Sequence, residues 1–246
     1  PVVAEMIDEK LATGKFAAVT IIHNETSTGL TNPVVEISQM MKGKYPDVLV
    51  LADSVSGMVG LPLKFDELGW DVALASTQKA FAIPPGMAVV AVSNRALHKS
   101  KNVPGRGYYF DFQQFAKSNE KNQTPTTPSI PHIMALNYQC HKLLKEGMEN
   151  VWRRHRQMGD FVRSWAKEKF ELLCDEKYAS NTLTAIKNTS GINVGEVIKA
   201  VQQKHNTIFG NGYGKLKDVT FRIAHMGDIT LDEVKELLSW IDEEIK

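Results

Sequence analysis

Apolar residues fall in short unbroken runs early in the chain and at helical spacing later, and the two patterns predict different architectures. Residues 16–22 and 47–52 are continuous apolar runs, each preceded by a helix-like stretch. That is the pattern of strands buried on both faces of a parallel sheet. Residues 32–44 supply the crossover helix between them, and the first ten residues read as another. Runs at 72–75 and 87–92 continue the strand series. The first hundred residues therefore predict a β-α-β layer, which binds ligands at the carboxyl ends of its strands.

From 99 to 131 the pattern breaks into a loop rich in Gly, Pro, Asn and Thr. It carries Gly105-Arg106-Gly107-Tyr108-Tyr109 and Thr124-Pro125-Thr126-Thr127-Pro128, and a loop of that length is either functional or disordered. Helical periodicity returns over 133–144 and 151–169, interrupted at Gly147, and predicts a helical connector. Strand candidates at 183–186 and 219–223, a helix over 194–204 and a closing amphipathic helix over 231–245 then make a second unit. The expected fold class is α/β. A large, mostly parallel-sheet domain with the connector spans 1–149, and a smaller α+β domain spans 150–246. There is no internal repeat.

Charge narrows the function. Lys and Arg total 29 against 28 Asp and Glu, and the basic residues are scattered, so neither nucleic acid nor an anionic membrane is an expected partner. Cys140 and Cys174 lie in apolar patterns, which argues against a disulfide framework and against a metal site, and fits a reducing, cytoplasmic setting. No apolar run approaches the roughly 18 residues of a membrane span. The chain starts without Met and inside a helix, so residues are expected upstream.

The segment Val72-Ala73-Leu74-Ala75-Ser76-Thr77-Gln78-Lys79-Ala80, followed by Pro84-Pro85-Gly86, runs a buried strand into hydroxylic residues and delivers one amine to the sheet's carboxyl edge. There an amine can act as a nucleophile toward aldehydes. A lone lysine at a loop could equally snorkel. The run Leu49-Val50-Leu51-Ala52-Asp53 ends in a carboxylate 26 residues before Lys79, which alone could be a helix cap. Together they fit pyridoxal 5′-phosphate (PLP). That cofactor needs a lysine for its aldehyde and a carboxylate that keeps its ring nitrogen protonated. A carboxylate in contact favours the protonated ring by on the order of 1.4 to 4 kcal/mol.

These segments, with His23-Asn24-Glu25-Thr26-Ser27-Thr28-Gly29, Ala52-Asp53-Ser54-Val55, Thr127-Pro128 and Phe221-Arg222-Ile223, resemble the class V PLP-dependent aminotransferases from about residue 15 to the C-terminus. Within that family the similarity is greatest to the alanine–glyoxylate and serine–pyruvate group. The resemblance implies the fold type I architecture, lacking the family's N-terminal third. It implies transfer of an amino group from serine or alanine to glyoxylate or pyruvate. Lys79 would form the Schiff base and shuttle the proton, while Asp53 would pair with the pyridine nitrogen. Val55 would pack on the ring, Thr26 would lie at its hydroxyl, and Gln78 would reach the phosphate. Thr127 would reach the same phosphate from the neighbouring subunit of a homodimer. Arg222 would hold the substrate carboxylate, a two-pronged task suited to guanidinium. Where some relatives place a phosphate-binding Tyr, Thr124 stands.

Gly210-Asn211-Gly212-Tyr213-Gly214-Lys215 resembles a phosphate loop but fits neither G-x-G-x-x-G nor the P-loop, so it reads as a flexible turn beside the arginine. Cysteine desulfurase chemistry is disfavoured because neither cysteine sits on a suitable loop. Phosphoserine transamination is disfavoured because Ala80-Phe81-Ala82-Ile83 adds no basic residue. A lyase, or a non-catalytic partial subunit, stays open as an alternative. In the family the N-terminal third supplies a phosphate-cradling helix end and a stacking aromatic, so an N-terminal piece of the same enzyme is an expected partner.

Overall fold

The computed structural model describes residues 1–245. Two sheets are joined by a pair of long helices. The first sheet holds β1 (Ala18–Ile22), β4 (Leu49–Asp53), β5 (Val72–Ser76) and β6 (Ala88–Val92), hydrogen-bonded in that order. Strands β1, β4 and β5 are parallel, whereas β6 runs antiparallel to β5. Helices α1 (Ala4–Leu11) and α2 (Val34–Lys44) cover one face, burying Ile7, Leu11, Ile37 and Met41 against Ile21, Val50, Ala52 and Ala73.

The opposite face is open. Register aligns Ile22, Asp53, Leu74 and Val90 in one cross-strand row, with Ile22 44%, Leu74 38% and Val90 48% exposed. Burial on both faces, expected from the unbroken apolar runs, is therefore not observed. Helices cover only one side of the sheet, and β1, which starts at Ala18 and leaves Phe16 exposed, lies at its edge. A run of apolar residues reports what a strand can bury, not what covers it.

The 99–131 segment also differs from the expected structureless loop. It begins in α4 (Asn94–Ser100) and contains α5 (Phe112–Asn119), capped by Asp111, whose carboxylate accepts from Gln113 N at 3.0 Å and from Arg106 Nε at 2.9 Å. An eight-residue helix is too short to carry a strong periodic signal, and flanking Gly and Pro hide it further. Elsewhere α3 (Phe65–Leu68) is a single turn ending at left-handed Gly69.

Helices α6 (Ile130–Glu146) and α7 (Met148–Lys169) meet at Gly147, whose φ of 85° suits glycine. The second sheet is wholly antiparallel, in the order β7 (Glu171–Leu172), β8 (Leu183–Lys187), β10 (Thr220–Ala224), β9 (Gly210–Asn211). Helices α7, α8 (Val194–His205) and α9 (Leu231–Glu244) close over it. Phe221 is fully buried at its centre, with ring centroids of Phe170 at 5.1 Å and Phe209 at 5.9 Å. A reciprocal cap starts α9: Glu233 N donates to Thr230 Oγ1, and Thr230 N donates to the Glu233 carboxylate.

The two lobes meet through a small hairpin, β2 (Asn24–Glu25) with β3 (Leu30–Thr31). Its turn residue Gly29 has φ 67°, and a Cβ there would stand 2.8 Å from Ala185 N of β8. Only glycine allows both the turn and the approach. Among the described residues no helix is long and apolar enough to cross a membrane, and no group of three or more His, Cys, Asp or Glu could hold a metal ion.

Candidate active site at the carboxyl edge of the sheet

Asp53 is the last residue of β4, and Lys79 follows the end of neighbouring β5 by three residues. Parallel pairing puts both strand ends on one edge of the sheet. One Asp53 carboxylate oxygen, Oδ1, accepts from Val55 N at 2.9 Å, turning the chain immediately after the strand. The other oxygen has no protein partner among the described residues, and the side chain is exposed on the open face. Beneath it Ser54 is fully buried, with its hydroxyl 3.2 Å from His23 Nδ1. Burial holds the His23 imidazole neutral, its pKa lowered to about 4. A Cβ at Gly57 would come 2.7 Å from that ring, so the chain passes His23 only as glycine.

The lysine turn is fixed by its backbone. Buried Thr77 donates through Oγ1 to Met87 O at 3.0 Å, and Ala82 N donates to Lys79 O at 2.9 Å. Ala82 has φ 56°, an uncommon conformation for a residue with a Cβ. Lys79 itself is half-buried, and its amine makes no hydrogen bond or ion pair among the described residues. An unpaired amine and an unpaired carboxylate oxygen on adjacent strand ends suit PLP as a donor set, one for the aldehyde and one for the ring nitrogen.

Of the other predicted positions, Thr26 is drawn to this edge: its hydroxyl donates to Ser56 Oγ at 3.0 Å. Val55 is half-buried and Gln78 is exposed. Thr127 is exposed and its side chain makes no hydrogen bond within the chain among the described residues. Arg222 lies on β10 of the second lobe, half-buried. Its Nε donates to Asn211 O at 2.9 Å, and its guanidinium carbon sits 3.6 Å from the Tyr213 ring centroid. The segment expected to be a flexible turn thus contributes a strand, since Gly210 and Asn211 form β9 against Arg222 and Phe221.

Several residues escaped the sequence reading. Asn24 Nδ2 donates to Ser56 Oγ at 2.9 Å, and Thr182 Oγ1 donates to Ser56 O at 2.8 Å, so a buried polar cluster ties the Thr26 turn to the second lobe. Gly227 packs against the lysine turn, where a Cβ would stand 3.1 Å from Ala82 Cβ and 3.4 Å from Lys79 O. His155 of α7 accepts from Gly227 N at 3.1 Å, and Arg154 donates to Gly227 O. No spacing announces these residues, because their partners are up to 158 residues away.

The chain is similar to known proteins in sequence and in fold. The sequence model of the aminotransferase class-V family matches residues 3–212, ending before Arg222. An uncharacterized aminotransferase of Methanocaldococcus jannaschii is 35% identical over 232 residues, covering 93% of this chain and 60% of that protein. A serine–glyoxylate aminotransferase of Methylorubrum extorquens is 32% identical over 235 residues, covering 92% and 58% respectively. The crystal structure of an alanine–glyoxylate aminotransferase from Nostoc sp. superposes with a TM-score of 0.91 at 24% identity, over 98% of this chain and 65% of that one. The chain therefore spans about 60% of the length of these curated relatives. The fold is that of the fold type I PLP-dependent transferases, in the part spanned. By the extent of the family match and the identity with its relatives, the chain belongs to the class V aminotransferases.

Proposed function

We propose that this chain is the PLP-binding and substrate-binding part of a transaminase that moves an amino group from a small amino acid, serine or alanine, to glyoxylate or pyruvate. The observation that carries the reading is the pair of unpartnered groups, the Lys79 amine and one Asp53 oxygen, at the carboxyl ends of adjacent strands. Relatives named as serine–glyoxylate aminotransferases support the substrate class. When bound, PLP supplies an electron sink for the substrate Cα–H bond.

The protein's own groups divide the remaining work. Lys79 would hold the cofactor's aldehyde and, once the substrate's amine has displaced it there, its freed amine would take and return the proton at the substrate Cα. Asp53 presents its carboxylate to the ring nitrogen, Val55 packs on the ring, and Thr26 stands at its hydroxyl. Gln78 takes the phosphate, joined by Thr127 of the partner subunit in a homodimer. Arg222 binds the α-carboxylate. Residues 1–149 form the cofactor domain and 150–246 the smaller domain, working in the cytoplasm. The free thiols of Cys140 and Cys174 are in keeping with that compartment.

We propose further that an N-terminal piece of the same enzyme covers the open sheet face. The exposed row Ile22, Leu74 and Val90, and the share of the relatives' length that this chain spans, support it. Active material is expected to contain that piece, and its intact mass would reveal it. A soluble, fully active preparation of the chain alone would refute this part.

The decisive test is Lys79→Ala in the PLP-loaded enzyme. It should abolish transamination and the visible absorbance that borohydride bleaches, while circular dichroism stays unchanged. A variant that keeps both signals would show that the lysine is misassigned.

A further inference from the structure

The glycine-rich segment 210–215 satisfies no nucleotide-binding spacing, yet its residues converge on one guanidinium. Asn211 O takes the Arg222 Nε–H, and the Tyr213 ring covers one face of the guanidinium. A Cβ on Gly210 would stand 3.1 Å from Arg222 Nη2. Gly212 has no room for a side chain either, since a Cβ would meet Leu216 O at 2.0 Å. Gly212 is thus required where it stands, which a merely flexible turn does not demand, and a side chain at Gly210 would press on the guanidinium. Among the described residues the two Nη atoms make no hydrogen bond and no ion pair.

A guanidinium can grip a carboxylate side-on, through Nε and one Nη, or end-on, through both Nη atoms. Here the Nε donor is occupied by a backbone carbonyl, which removes the side-on geometry. The Tyr213 ring blocks one face and attracts the cation through its quadrupole. Only the Nη1/Nη2 edge remains for a planar anion. We propose that Tyr213 is a positioning residue that, with the Asn211 carbonyl, presents the end-on edge of Arg222 to the substrate carboxylate. This rests on Arg222 being the carboxylate residue, as read above.

The test compares Tyr213→Ala, Tyr213→Phe and Arg222→Ala in the PLP-loaded enzyme, with serine or alanine as donor and glyoxylate as acceptor. Tyr213→Ala should raise KM for both partners by about threefold to thirtyfold, the range of a cation–π contact, with kcat within about twofold. Tyr213→Phe keeps the ring and should restore KM. Propionate, a carboxylate with nothing to react, should inhibit the three variants in the same order. The Arg222 Nε–H proton resonance gives a readout independent of turnover, since ring shielding is lost in Tyr213→Ala and kept in Tyr213→Phe. Equal KM in Tyr213→Ala and the parent, with KM raised in Arg222→Ala, would overturn the positioning role alone. So would a Tyr213→Phe variant as impaired as Tyr213→Ala. Unchanged KM in Arg222→Ala would instead remove the arginine, and the positioning role with it.

Discussion

The two lobes solve the same packing problem differently. In the small lobe three helices close over an antiparallel sheet, and Phe221 and Ile223 at its centre are fully buried. In the large lobe helices cover one face of the sheet, and the other keeps Ile22, Leu74 and Val90 partly exposed beside Asp53. The contrast separates stability from chemistry. Among the described residues, the closed lobe buries an apolar centre and leaves the Nη edge of Arg222 unpaired at its margin, whereas the open lobe leaves the Lys79 amine and one Asp53 carboxylate oxygen unpartnered on its open edge.

The sharpest way to break that contrast is at Asp53. Asp53→Asn should keep the turn made with Val55 N and most cofactor binding, yet lose several orders of magnitude in kcat, because the amide no longer stabilises a protonated ring. Near-normal kcat would remove Asp53 from the mechanism. Next comes the small-lobe core: Phe221→Ala should cost about 3 to 5 kcal/mol in denaturant unfolding, the range for an aromatic lost from a closed core. A cost under about 1 kcal/mol would mean that the lobe is less tightly closed than its burial implies.

Histidines sharpen the comparison through pH. Burial lowers the pKa of His225 to about 3 and that of His23 to about 4, against an ordinary value of 6.5. Below pH 6.5 the unfolded chain binds protons that these folded imidazoles refuse, so stability is full above that value and falls as pH drops. At pH 5 each should contribute a loss of about 2 kcal/mol. Stability that is flat between pH 7 and 5 would contradict the buried neutral state of both. The smallest effect is expected on the open face, where Val90→Thr should change stability by within about 0.5 kcal/mol in the isolated chain.

Much of this was legible in the sequence, for reasons that particular residues make plain. The strand-end places of Lys79 and Asp53 are legible because a buried strand and a turn coincide within a few residues of each. The helices over 194–204 and 231–245 carry enough turns for their apolar stripe to repeat, and α8 and α9 fall within two residues of those bounds. What stayed hidden depends on distant partners. Ile22 reads as buried until the helices are seen to cover only the other face of the sheet. Helix α5 is too short for its period to stand out, and Gly210 looks like a loop glycine until β9 is seen against Arg222. The Asn24, Ser56 and Thr182 cluster joins residues that no local pattern relates.

Gly227 acts as the fixed stop of a gauge. Its peptide is held on one side by His155 and on the other by Arg154, and its Cα rests on the lysine turn. Only four residues separate it from Arg222, five steps along the backbone that reach at most about 18 Å even when fully extended. That tether, anchored at one end, puts a ceiling on how far the Arg222 backbone can stand from the lysine turn.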